Sequence, residues 1–208
     1  WDNRANLAES FFEQVVAKYQ GTRLGRQELS GEILEEAEGA LWKREMIRYL
    51  DKVPPLARIV VSVDPPASSG GEAALCGIVV SGVGYDRKGY VLADYSGRMS
   101  PGQWGEAVVK AFDKHGADRI VAEANQGGQM VAHTIQTVRR GLPITLVHAS
   151  KSKQARAEPV AAFYEQEMVY HVGVFAELED QLCVASGTLV STQRGDVSIC
   201  DLNAHDYI

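Results

Sequence analysis

Residues 58–71 read RIVVSVDPPASSGG. Val60, Val61 and Val63 form an apolar, β-branched run of the kind that fills a buried strand. The run ends on Asp64, and Pro65, Pro66 and a small-residue stretch break it at once. An Asp before a Pro is a common turn starter. The tip of a buried strand is also a place for a metal ligand or a catalytic acid. One acid does not decide between these readings; a second acid in matching context can.

Working outward, AALCGIVVSGV (73–83) reads as a second strand and KGYVLADYSG (88–97) as a third. GYDRKG between them has hairpin-turn chemistry, so the first three strands are expected to run antiparallel. SPGQWGEAVVKAFDKHG (100–116) reads as a helix with Ser100 as N-cap, Pro101 in the first helical position and Gly116 at the end. Its apolar stripe is Trp104, Val108 and Phe112. ADRIVAEAN (117–125) is a fourth strand, GGQMVAHTIQTVRRG (127–141) a helix and LPITLVHAS (142–150) a fifth strand. KQARAEPVAAFYEQEMV (153–169) reads as mostly helix with Pro159 near its first turn, followed by a short strand at VYHVG and a helix at FAELEDQL (175–182). Three antiparallel strands followed by βαβ units predict an α/β fold: a mixed sheet with helices on both faces, in the ribonuclease H-like order.

That order supplies the second acid. RIVAEANQGG (119–128) repeats the grammar of the opening stretch, with Glu123 near the end of a buried strand and a Gly-rich turn after it. In a ribonuclease H-like sheet the fourth strand lies parallel to the first and beside it. Neighbouring strands are about 4.8 Å apart. Two carboxylates at one end of such a pair repel each other in a partly buried cleft. A divalent cation compensates, and Mg²⁺ favours such hard oxygen ligands. Taken singly, Asp64 reads as a turn residue and Glu123 as a partner for Arg119; taken together they read as a metal site.

Bulk composition agrees with a globular α/β domain. The 208 residues are 45% hydrophobic and 23% charged, with a net charge of −6. No apolar run approaches membrane-spanning length. Cys76, Cys183 and Cys200 are far apart and form no CxxC pair, so neither a zinc site nor a disulfide framework is expected, and a reducing cytoplasm is the natural compartment. Residues 1–52 read as helical and charged, with Leu7, Phe11, Val15, Val16 and Tyr19 at helical spacing, and the prolines of KVPPLA set a boundary before 53–208. The start at Trp1 suggests a piece of a longer chain.

Several stretches together resemble the large terminase subunit of tailed phages and prophages: WDNRANLAESFFEQVVAKYQGTRLGRQEL, VSVDPPASS, IVAEANQGGQMV, HASKSKQARAEPVAAFYEQ and VYHVGVFAELEDQ. The resemblance runs from residue 1 to about 182. It implies that 1–52 is a linker following a packaging ATPase domain and that 53–208 is a ribonuclease H-like nuclease domain. No GxxxxGK[ST] phosphate loop occurs, so motor chemistry is not expected here. The resemblance further implies a metal-dependent endonuclease that cuts concatemeric double-stranded viral DNA in the host cytoplasm. Its partners would be the portal protein, the small terminase subunit and the ATPase domain, with no membrane. It would use two Mg²⁺ or Mn²⁺ ions held by three acids, the first mapping to Asp64 and the second to Glu123.

The chain departs from the family pattern after LEDQ. The family places its third acid at the start of a helix, whereas this chain ends VASGTLVSTQRGDVSICDLNAHDYI. Asp201 is nearest in local context and is taken as the third catalytic and metal-binding acid. Asp196 is next by spacing and Asp180 after it. The departure bears on activity rather than fold, so the alternative function is a catalytically weakened domain that docks on DNA or portal.

Lys151, Lys153 and Arg156, just after the fifth strand, are the expected DNA-phosphate contacts. Cations at a helix start oppose its dipole, so a solvated helix start explains them less well. Arg87 and Lys88 on the hairpin read equally as DNA contacts or as a surface turn. Arg139 and Arg140 suit a helix end. Gly127 and Gly128 fit a helix start or a phosphate approach. His148 supports the site from outside at most.

Overall fold

The computed structural model describes residues 40–65, 74–124, 128–183, 189–192 and 195–198. The chain meets the sheet first at β1 (Arg48–Tyr49), just after a 3-10 turn at Arg44–Met46. From residue 40 on this corrects the expectation of helix, while Leu7, Phe11, Val15, Val16 and Tyr19 lie outside the described residues. Trp42 and Ile47 are buried with Ala161 and Tyr164, and that burial holds the segment extended against its helical charge pattern.

The opening stretch forms β2 (Leu56–Asp64). β3 (Ala74–Gly84) and β4 (Gly89–Asp94) follow as an antiparallel meander. The β3–β4 turn closes by the Arg87 N–H donating to the Gly84 carbonyl at 3.0 Å, with Arg87 in the left-handed region at φ 64°. The predicted third strand is in fact two. Asp94 Oδ1 accepts the Ser96 N–H at 2.9 Å, a local turn that ends β4. The chain re-enters as β5 (Gly97–Met99) against the start of β3.

The second half alternates. It runs α1 (Pro101–His115), β6 (Arg119–Glu123), α2 (Gly128–Val138), β7 (Ile144–Val147), α3 (Lys153–Glu165), β8 (Val169–His171) and α4 (Ala176–Leu182). A separate hairpin of β9 (Leu189–Thr192) and β10 (Gly195–Ser198) completes the described chain. Around α1 the expected caps are present. The Ser100 N–H donates to Gln103 Oε1 at 2.9 Å, Pro101 opens the helix and Gly116 closes it at φ 56°. Gly105 lets α1 approach α2; a Cβ there would lie 3.2 Å from Val138 Cγ2. Pro159 lies inside α3 rather than near its first turn. The carbonyl it leaves without a helical partner is that of Ala155, itself an exposed residue.

The main sheet has the order β1-β8-β4-β3-β2-β6-β7. β2, β6 and β7 are parallel, as are β4, β8 and β1. One face carries the main core: Val61, Val63, Ile78, Val80, Ile120 and Ala122 from strands, Trp104 and Val108 from α1, and Val131 and Ile135 from α2. Burying each such aliphatic side chain stabilises the fold by about 1.5–3 kcal/mol. A smaller core joins α3 to the 42–47 segment and β8. This is the expected ribonuclease H-like mixed sheet, with helices on both faces.

Candidate active site

Strand periodicity brings the two acids together. β2 and β6 run parallel with Val61 beside Ile120 and Val63 beside Ala122, and the next position in that register sets Asp64 beside Glu123. Val63 and Ala122 point into the core under α1 and α2. Side chains alternate, so Asp64 and Glu123 share the opposite face. They stand at the C-terminal ends of parallel strands, where open α/β sheets place their sites. On the other flank Asp64 pairs with Gly77 of β3, and a Cβ at Gly77 would touch the Asp64 Cβ at 3.5 Å. The glycine leaves that flank of the acid open.

The second face is completed by the start of α3. Ser152 caps the helix by accepting the Ala155 N–H at 3.2 Å. Arg156, in the first turns, donates from Nη1 to Glu123 Oε2 at 3.1 Å. Asp64 stays open to water at the strand tip, yet the protein packed around it desolvates its carboxyl and raises it above its ordinary value; the Lys153 charge opposes that rise, the Glu123 charge adds to it, and Arg156 opposes it again. The four residues therefore form one electrostatic unit. Lys151 is exposed just ahead of it. Cys76, buried beside Gly77, is pushed up to about 12 by burial and by the charge of Asp64, so it packs as an apolar residue and not as a nucleophile.

Asp201 lies outside the described residues. Asp196 is on β10, paired across the hairpin with Ser191. Asp180 sits on α4 and pairs with Arg44, on the far part of the sheet, where β8 is separated from β2 by β4 and β3. His148 is exposed just past β7. At the hairpin, Lys88 Nζ donates to the Tyr170 hydroxyl at 2.9 Å, while Arg87 is exposed at the tip. Arg139 pairs with Asp113 at 2.7 Å. Gly127 lies outside the described residues, and Gly128 opens α2.

Sequence reading missed a second polar centre. His171 and Glu179 are fully buried. Glu179 Oε1 accepts from His171 Nδ1 and from the Phe175 N–H, both at 2.9 Å, and its Oε2 accepts the Tyr49 hydroxyl at 2.8 Å. Arg44 approaches Oε2 at 3.4 Å, and the Tyr164 hydroxyl meets His171 Nε2 at 2.8 Å. The only sequence signal was a His and a Glu among apolar residues in VYHVGVFAELED. The centre pins β1 to β8, α3 and α4.

The donor chemistry at Asp64 and Glu123 fits a divalent cation. Both groups are hard oxygens, they stand side by side on one face of adjacent strands, and Glu123 already holds a cation in Arg156. Among the described residues no three His, Cys, Asp or Glu side chains converge to hold a metal.

The family model of the terminase RNaseH-like domain matches residues 61–200. Among solved structures, the large terminase of bacteriophage HK97 is similar with a TM-score of 0.55 at 10% identity, over 76% of this chain and 38% of that one. The large terminase nuclease of thermophilic phage G20c with bound cobalt gives a TM-score of 0.50 at 16% identity, over 78% of this chain and 88% of that one. No curated protein matched. The family match spans more than half of the chain and falls on the sheet that carries the two acids. The chain belongs to the terminase RNaseH-like domain family.

Proposed function

We propose that this domain is a divalent-metal-dependent endonuclease that cuts double-stranded viral DNA concatemers during genome packaging. The observation that carries this reading is the register that sets Asp64 beside Glu123 at the ends of two parallel strands. Asp64 and Glu123 would hold Mg²⁺ or Mn²⁺, with a third carboxylate proposed at Asp201 and Asp196 as the next candidate. Two such ions, when bound, supply a potent nucleophile at neutral pH and stabilise the leaving oxygen.

The chain's own residues do the rest. The two strand tips fix the carboxylates, and the core beneath them keeps their spacing. Gly77 leaves one flank open for the DNA backbone. Lys151, Lys153 and Arg156 offer cations at the start of α3, where phosphates would be positioned without reading sequence. The family adds proposed partners: the portal protein, the small terminase subunit and the ATPase domain of a longer chain, joined through the residues ahead of Trp42, since Trp42, Ile47 and β1 pack within this domain.

The test is plasmid cleavage with Mn²⁺ or Mg²⁺ and an EDTA control. Cutting that depends on metal and is lost in Asp64→Asn and Glu123→Gln is the expected result. Duplex binding without cutting at high protein concentration would favour the docking module instead. Cleavage that survives EDTA would defeat both.

A further inference from the structure

We infer that Arg156 is the built-in counter-ion of the acid pair, holding Glu123 until a divalent cation replaces it and then turning to a DNA phosphate. The inference rests on the nuclease reading above. Its geometry is the contact of 3.1 Å from Arg156 Nη1 to Glu123 Oε2. The side chains are 39% and 22% exposed, so the pair is open to water and the guanidinium has a way out.

Position adds a second argument. Arg156 and Lys153 lie at the start of α3, where the helix dipole disfavours cations. The sequence accepts that local cost, and the acid pair on β2 and β6 offsets it. Arg156 and the Lys153 charge together ease the repulsion between two carboxylates on adjacent strands when metal is absent, and Arg156 is the one in contact with Glu123. A divalent cation brings a larger charge to the same oxygens and repels the guanidinium. Carboxylate and phosphate accept the same planar fork of N–H donors, so one arginine serves either partner. The exchange thereby links metal loading to DNA grip: the residue released by the metal is a new phosphate ligand.

The experiment uses the full chain and two readouts that do not depend on cleavage. Mn²⁺ is titrated into wild type, Arg156→Gln, Arg156→Lys and Asp64→Asn, with free Mn²⁺ read by electron paramagnetic resonance. Removing a partly exposed pairing partner is expected to tighten Mn²⁺ binding about two- to fivefold in Arg156→Gln. Arg156→Lys should stay nearer wild type, and Asp64→Asn should lose the site. Duplex binding is then measured by fluorescence anisotropy in EDTA. Glu123→Gln, which frees Arg156, should gain more affinity than Asp64→Asn, which removes the same charge elsewhere, and this extra gain should vanish in Glu123→Gln/Arg156→Gln. Mn²⁺ affinity that is unchanged or weaker in Arg156→Gln overturns the inference, as does an extra gain that persists without Arg156. Mn²⁺ binding lost in Asp64→Asn but indifferent to Arg156 sinks the inference alone; binding indifferent to Asp64 sinks the nuclease reading with it.

Discussion

Glu179 is buried, yet its carboxyl titrates below its ordinary value: burial pushes it up, but the hydrogen bonds from His171, the Phe175 N–H and the Tyr49 hydroxyl outweigh that. Asp64 goes the other way, raised by burial and by Glu123 against the pull of Lys153 and Arg156. The signs predict opposite pH behaviour. A lowered folded value gives stability that is present above the ordinary value of 4.5 and lost as pH falls through the folded value. Glu179→Gln should therefore cost about 1–3 kcal/mol at neutral pH by urea unfolding, with the gap to wild type closing in acid. A gap that stays constant down to low pH would show that the ionised form contributes nothing. For Asp64 the raised value gives stability present below 3.8 and lost as pH rises through the folded value. In EDTA, Asp64→Asn should then melt higher than wild type at neutral pH and equal to it in strong acid. A lower melting temperature at neutral pH would mean that Asp64 is held by contacts the ionised form needs.

At the scale of elements, α3 is a helix with a fault in its middle. Pro159 removes one backbone hydrogen bond and sits exposed between regular helical turns. Pro159→Ala should stabilise the domain by about 2 kcal/mol, the interior cost of proline less the entropy it removes from the unfolded chain; no gain in urea unfolding would show that the helix already absorbs the fault by bending. β2, β3, β6 and α1 were legible because their signals are local. The β-branched run Val60, Val61 and Val63 stops at Asp64 and two prolines, and Ser100, Pro101 and Gly116 mark both ends of one helix. β1 was not legible. A two-residue strand carries no period, and Arg48 and Tyr49 take it up because β8 and the buried Glu179 lie elsewhere in the chain. The break between β4 and β5 was hidden in the same way, since Ser96 ends the strand by accepting the Ile78 N–H at 3.0 Å from β3. Asp64 and Glu123 were legible as a pair only through topology; the Arg156 contact was not, since sequence alone pointed that arginine outward to DNA.

Across the whole molecule a net charge of −6 has to be reconciled with the proposed DNA substrate. The basic residues at the start of α3 are local, and if they hold DNA phosphates as proposed, their number sets how strongly salt weakens binding. Each phosphate that is no longer neutralised should lower the slope of log affinity against log salt by about 0.9. Lys151→Gln/Lys153→Gln should therefore flatten the slope by about 1.8 in duplex titrations, and an unchanged slope would place the DNA path elsewhere.

The pairing of β2 with β6 also sets an order of folding. β2, β3 and β4 are joined by short connections, and their contacts form from nearby chain. β6 reaches β2 only after α1 has crossed over, a non-local step that costs more loop entropy and comes late. A partly folded chain can thus hold the meander with Asp64 in place while Glu123 is still far away. Nascent protein would carry one acid of the pair without the other, so the proposed nuclease would be silent until its sheet is whole.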